Sequence, residues 1–242
     1  MLTIGDFAEL IRALPDRLLY SRSDLLTPQF KLAEENRLTM YYAPFGSTNP
    51  GAKLAIIGVT PGWTQMEIAY RTARRALVAG CSLEEASKEA KTAASFGGSM
   101  RKILVGMLDD LEIPKLLRLD SSHDLFGIAR EQIHTTWAIR YPVFVRERNY
   151  TGSTPVIMRS PLLMDYARRV LAPELSQLPQ AVFVPLGRAV ESLLTILESE
   201  KRIPATRILH GFPHPSGANG HRVQQFTANR ESLRKQLETV LG

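Results

Sequence analysis

Leu54-Ala55-Ile56-Ile57-Gly58-Val59-Thr60-Pro61-Gly62 is the stretch that decides the fold. Its first five residues form a wholly apolar run, which is typical of a strand buried on both faces of a parallel sheet. Pro61 and Gly62 end the strand, and a helical pattern begins at Gln65. The stretch therefore predicts a strand–loop–helix unit of an α/β protein.

The same alternation recurs further along the chain. Short apolar runs at 132–139, 181–187 and 206–212 predict three more strands, and helical patterns follow at 161–175, 188–199 and 221–241. Together they predict a three-layer α/β/α sandwich with a short four-stranded parallel sheet. Because ligands bind where parallel strands end, we expect the loops after the four strands to converge at one edge.

The remaining segments are interpreted as additions to a single domain covering residues 1–242. Residues 1–40 read as a helical N-terminal appendage, and the helical spacing there extends to residue 36. Residues 66–92 read as a helical insertion, broken before Ser82. Ser82 and Glu85 have the spacing of a capping box, which predicts a new helix start.

Composition favours an anionic partner. The formal charge is +6 and the isoelectric point is near 9.6, and residues 201–242 hold seven Lys/Arg against two Glu. Such a balance points first to nucleic acid. The single cysteine excludes an internal disulfide, and no histidine spacing indicates a metal, so we expect no cofactor.

Cellular location is inferred from two further features. The chain has no apolar run of about 18 residues and no signal-peptide pattern. We therefore expect a soluble, cytoplasmic monomer that does not associate with membranes.

A proline-rich loop carries the most chemistry. It reads His210-Gly-Phe-Pro-His214-Pro-Ser216-Gly-Ala-Asn219-Gly-His-Arg222. Prolines on both sides of His214 forbid regular structure and make the loop rigid. It displays imidazole, hydroxyl and amide groups between a strand and a helix. An alternative interpretation is a simple connection in which Ser216 or Asn219 caps the helix.

Four segments together resemble the uracil-DNA glycosylase superfamily, from about residue 40 to the end of the chain. They are Gly58-Val-Thr-Pro-Gly62, Phe96-Gly-Gly-Ser-Met-Arg-Lys-Ile-Leu, Val184-Pro-Leu-Gly-Arg-Ala-Val-Glu-Ser-Leu-Leu and His214-Pro-Ser216. The resemblance implies a DNA glycosylase of base-excision repair. Such an enzyme hydrolyses the N-glycosidic bond of uracil or another damaged or modified base, flipped out of single- or double-stranded DNA.

The resemblance also implies catalytic roles. His214 matches the histidine that stabilises negative charge on the departing base. Thr60 stands where the family has the Asp or Asn that activates water, and Val59 stands where another branch has Glu. Thr60 can orient a water molecule but cannot take its proton, and Gln65 is the nearest polar alternative.

Binding roles follow in the same way. Gly58, Pro61 and Gly62 correspond to a loop that approaches the flipped nucleotide closely. Phe96 corresponds to the aromatic platform that stacks on the base, and Thr136 or Trp137 to the base-reading position. Phe96 and Trp137 are alternatively core residues.

The proline-rich loop adds the DNA contacts implied by the resemblance. Pro215, Ser216 and Asn219 match positions that grip phosphate and shape the loop. Arg222 lies where a wedge enters the duplex, or it contacts phosphate.

Two other functions fit the residues. A non-catalytic module that binds DNA or a modified base, and retains a glycosylase-like pocket, is favoured by the missing carboxylate at 59–60. A phosphate-binding α/β enzyme acting on nucleosides or nucleotides is the third reading. The intact His214-Pro-Ser216 sequence favours the glycosylase.

Overall fold

A computed structural model describes residues 2–97, 99–204 and 207–241. The chain forms two compact units, each built from separate segments. Unit 1 consists of the chain up to Ser47, with Thr60–Gly97 and Ile139–Thr154. Unit 2 consists of Thr48–Val59, the described residues 99–138, and the chain from Pro155 onward. The predicted appendage (1–40) and the predicted insertion (66–92) both fall in unit 1.

Unit 1 is a helical layer with a small antiparallel sheet. Its helices are α1 (Ala8–Arg12), α2 (Arg22–Leu25), α3 (Trp63–Val78) and α4 (Leu83–Ala94), and its strands are β1 (Lys31–Glu35), β2 (Leu38–Tyr41), β5 (Val143–Val145) and β6 (Arg148–Asn149). The strand order is β1-β2-β5-β6. The predicted capping box is confirmed, because the Ser82 hydroxyl accepts from the Glu85 backbone N–H and the Glu85 carboxylate accepts from the Ser82 N–H.

The helical reading of residues 31–35 is wrong. Lys31–Glu35 is strand β1, paired antiparallel with β2. Its charged residues suit a strand at the edge of a sheet, and that pairing is a contact between segments which helical spacing does not detect.

Unit 2 contains the parallel sheet. Its strands are β3 (Leu54–Gly58), β4 (Ile133–Trp137) and β7 (Val182–Pro185), all buried, in the order β4-β3-β7. Its helices are α5 (Ser99–Asp110), α6 (Ile113–Leu117), α7 (Pro161–Tyr166), α8 (Ala172–Ser176), α9 (Arg188–Ser199) and α10 (Arg222–Leu241). A π-helical turn, Ala167–Leu171, joins α7 to α8. A parallel sheet flanked by helices confirms the predicted α/β sandwich.

The parallel sheet has three strands among the described residues, so the prediction of a fourth strand at 206–212 is wrong. Among the described residues of that segment only Ile208 pairs with the sheet, through a parallel bridge to Phe183, and Thr206 lies outside the described residues. The pairing with β7 ends after Ile208 because side chains form hydrogen bonds with the next backbone groups. Gln236 bonds to both the N–H and the carbonyl of His210, and Gly211 donates to Glu191.

In the described part of the chain, no helix has the length and apolar character needed to cross a membrane.

Candidate functional site

The carboxyl edge of the parallel sheet collects the unit 2 residues singled out from the sequence. Gly58 is paired with Trp137, and Ile57 with Pro185, so β3, β4 and β7 end side by side. The segment that leads to His214 runs parallel to β7 at the Ile208 bridge. Within unit 2, the ends of the three strands and the segment that leads to His214 therefore lie side by side.

Gly187 determines how closely the His214 loop approaches β7. Its φ is +88°, and a Cβ at this position would lie 2.9 Å from the Cβ of His214. Its N–H donates to the Phe212 carbonyl at 3.1 Å. Only glycine combines this φ with this contact, so the backbone of the histidine loop rests directly on the turn after β7.

Replacing Gly187 with alanine is expected to displace the His214 loop and lower the free energy of unfolding by about 1–3 kcal/mol, because it adds backbone strain and a clash. Urea denaturation measures the loss. Gly217→Ala is the matched control, since a Cβ at Gly217 meets nothing within 4 Å. Equal stability of the two variants would contradict the close packing.

His214 is held as a neutral hydrogen-bond donor. The Ser216 backbone N–H donates to its Nδ1 at 3.1 Å, so the neutral ring carries its proton on Nε2. Burial lowers the pKa of His214 below its ordinary value, which favours the neutral form at pH 7. The side-chain amide of Asn219 donates to the His214 carbonyl at 3.2 Å and fixes the loop. The result is a rigid N–H donor at the carboxyl edge of the sheet.

The rest of the proline-rich loop is held by its own contacts. Pro215 is buried, and the Arg222 guanidinium donates to the Asn219 carbonyl at 3.3 Å. Arg222 therefore stabilises the loop, while the adjacent Val223 is 68% exposed. The sequence did not single out Val223 as an exposed apolar residue of this region, because an isolated valine after an arginine has no distinctive pattern.

Thr60 lies in unit 1, and its hydroxyl joins two backbone segments there. It donates to the Tyr141 carbonyl at 2.9 Å and accepts from the Val143 N–H at 3.2 Å. The single hydroxyl proton is thereby used, and one lone pair remains. In this arrangement Thr60 can accept a hydrogen bond from a water molecule but has no proton to donate to it.

Gln65 caps helix α3 in unit 1. Its side-chain oxygen accepts from the Gly62 N–H at 2.8 Å. The next N–H, that of Trp63, donates to the Asn149 side chain at 2.9 Å. The sequence did not predict this role of Asn149, because Asn149 lies far along the chain from Trp63, on β6. Both amides satisfy groups at a helix start that have no intrahelical partner, and Pro61 beside them is buried.

The side chains expected to stack on the base or to read it are all buried. Phe96 of unit 1 is 1% exposed; in unit 2, Trp137 is 1% and Thr136 is 0% exposed. The Thr136 hydroxyl has no hydrogen-bond partner among the described residues. A buried unsatisfied hydroxyl at the end of β4 is the kind of group that a polar ligand edge satisfies.

No cluster of three or more His, Cys, Asp or Glu suited to a metal ion occurs among the residues that the structure describes. The side chains that line the loops offer hydrogen bonds and positive charge instead. The arrangement can therefore stabilise an anion that develops near His214.

Comparison with known proteins identifies a relative that is similar over nearly the whole chain. No protein-family model matches the chain. It is 43% identical over 238 residues to the "Uncharacterized protein YoxB" of Bacillus subtilis (strain 168), and the match covers 98% of this chain and 92% of that protein. Identity at this level over nearly the whole of both chains means a shared fold and descent, and the chain belongs to the family of YoxB.

Proposed function

We propose that this protein is a DNA glycosylase that hydrolyses the N-glycosidic bond of uracil or another damaged or modified base. The observation that carries the proposal is the neutral His214 ring, fixed with its Nε2–H as a donor. The proposal needs no cofactor, takes DNA as the partner, and places the protein in the cytoplasm as a monomer.

The chemistry assigns the main catalytic task to His214. The nucleotide is first extruded from the stack. The C1′–N bond then breaks, its electron pair passes to the base, and the His214 Nε2–H donates to the base oxygen where that charge collects. Water adds to the cationic sugar carbon and its proton passes to solvent. A preorganised donor of this kind is worth about 3 kcal/mol in the transition state.

The proposal does not depend on proton transfer by Thr60 or Gln65. Because the Thr60 proton goes to Tyr141 and the Gln65 oxygen goes to Gly62, neither is assigned as a general base. The sugar cation needs little nucleophilic assistance, so leaving-group stabilisation by His214 carries the rate. On this basis the enzyme is expected to be slower than one with a carboxylate base.

Val223 replaces Arg222 as the proposed wedge. Apolar side chains that insert between base steps unstack them and help to extrude a nucleotide. Val223 is exposed at the start of α10, whereas Arg222 is bonded within its own loop. Arg222 then acts by fixing the loop and adding positive charge beside the phosphates.

A panel of oligonucleotides tests the proposal. Single- and double-stranded substrates that carry uracil, a deaminated purine or an alkylated base are incubated with excess protein, and abasic sites are then cleaved with alkali. We expect strand cleavage with at least one lesion, and strong loss of it in His214→Ala. Intact strands across the panel would reject the glycosylase.

A second candidate is a non-catalytic module that binds DNA or a modified base. It is favoured by the commitment of Thr60 and Gln65 to backbone partners, which leaves no obvious water-activating group among the predicted catalytic residues. It predicts tighter binding to lesion-containing DNA than to undamaged DNA, with no base release. The same panel distinguishes the two functions if binding and cleavage are measured together.

A further inference from the structure

Two arginines of unit 2 meet at one tight double turn. Arg101 is on α5, and Arg130 begins the short 3-10 turn Arg130–Gln132. A second 3-10 turn, Asp124–Phe126, precedes it. The two turns are joined where the N–H groups of Gly127 and Ala129 donate to the Asp124 carbonyl, at 3.0 and 2.9 Å. Phe126 and Arg130 are therefore held together in a compact segment.

Both guanidinium groups are partly removed from water at this segment. The Arg101 guanidinium carbon lies 5.0 Å from the centre of the Phe126 ring, a cation–π contact that orients the group. The Nη1 of Arg130 is buried and has no hydrogen-bond partner among the described residues. No carboxylate in the described part of the chain forms an ion pair with Arg130.

The two guanidinium groups disfavour each other's positive charge. Burial lowers the pKa of Arg101, and burial together with the positive charge of Arg101 lowers the pKa of Arg130. Arginine remains charged near neutral pH, so two like charges are held close together and partly desolvated. An anion that bonds to both would remove the repulsion and satisfy the buried donor.

We propose that Arg101 and Arg130 together bind a phosphate group of a nucleic-acid strand. Guanidinium groups match the oxygens of phosphate in paired hydrogen bonds. The two non-bridging oxygens of a phosphodiester have enough lone pairs to receive donors from two guanidinium groups at once. The choice of a nucleic-acid strand rests on the proposed function; the anion site itself rests on the two arginines.

The anion site is tested first with inorganic phosphate. At constant ionic strength, phosphate should raise the Tm of the wild-type protein and leave that of Arg130→Gln unchanged. Without phosphate, Arg130→Gln should be at least as stable as the wild type, because the substitution removes the repulsion. Arg118→Gln removes the same charge from an exposed position of unit 2 and should respond to phosphate as the wild type does. Equal responses of Arg130→Gln and the wild type would overturn the site.

The nucleic-acid part is tested with an undamaged oligonucleotide. Affinity is measured at several salt concentrations, and Arg130→Gln should reduce the slope of log K against log salt by about 1, the loss of one phosphate contact. Arg118→Gln should leave the slope unchanged. A phosphate response without a change of slope would limit the site to small anions and overturn the nucleic-acid assignment. Since the strand is undamaged, a changed slope supports this site even if the lesion panel shows no base release.

Discussion

His214→Ala is expected to lower the single-turnover rate of base release by about 10²–10³, and to leave DNA affinity nearly unchanged. The reason is that the Nε2–H bonds most strongly to the base after negative charge has developed on it, in the transition state. The rate is measured with protein in excess over a lesion oligonucleotide from the panel, and the affinity with an undamaged duplex.

Two variants control for damage to the loop. His221→Ala removes an exposed histidine from the same loop, and its rate should match that of the wild type. His214→Gln keeps an amide donor, and its rate should lie between those of the wild type and His214→Ala. A His214→Ala protein that retains full rate, or that loses DNA affinity in proportion to rate, would contradict the assigned role.

The pH dependence follows from the burial of His214. Since burial lowers the pKa of this histidine, the neutral ring should persist below its ordinary value of about 6.5. The base-release rate should therefore stay level as the pH falls from 8 to about 6.5. The contribution of His214 to stability is present above the unfolded-state pKa and is lost as the pH falls through the lower folded-state pKa, because unfolding then takes up a proton. A rate that rises as the pH falls through 6.5 would indicate that the imidazolium form is the active one.

His134→Ala should produce the largest loss of stability, about 2–4 kcal/mol, from a lost hydrogen bond to a buried carboxyl group and the cavity left behind. His134 is 2% exposed and Glu174 is 0% exposed, and their side chains bond at 2.8 Å. The other ring nitrogen of His134 accepts from the Asn49 N–H at 3.3 Å. The histidine thus ties β4 to α8 and to the segment before β3.

Urea denaturation measures this loss. His123→Ala is the matched control, because His123 is exposed in unit 2 and such substitutions change stability by about 0.5 kcal/mol or less. Glu174→Gln keeps an oxygen that accepts from His134 and should cost less than His134→Ala. A His134→Ala protein as stable as the His123→Ala protein would show that the buried pair contributes little.

The sequence predicted the strands and helices that are determined by neighbouring residues. The apolar run at β3 has no polar residue that could face solvent, so it is buried as a central strand. The break before Ser82 and the capping box were read from neighbouring residues, and helix α9 follows from its buried stripe of Val190, Leu193, Leu194 and Leu197. These features depend on contacts within one or two turns of the chain, which periodicity records directly.

The hydrogen-bond partners of Thr60 and Gln65 could not be predicted from the sequence. The resemblance to the glycosylase superfamily implied that Thr60 orients a water molecule, with Gln65 as the nearest polar alternative. Their partners, Tyr141 and Val143 for Thr60 and Gly62 for Gln65, are backbone groups. The partners of Thr60 lie on a distant segment, so only the folded chain reveals that its hydroxyl proton is used.

The sequence by itself determined the α/β class, the parallel order of strand and helix, and the rigid loop that carries His214. The tertiary structure alone decided that the fourth strand shrinks to a bridge at Ile208, because side chains of α9 and α10 take the next backbone groups. It also decided the tautomer of His214, through Ser216, and the contact of Arg101 with Phe126 in the segment that holds Arg130. The physical reason is the same each time: strand pairing, proton position and charge proximity depend on which groups lie close in space, whereas periodicity reports only which faces of a segment are apolar.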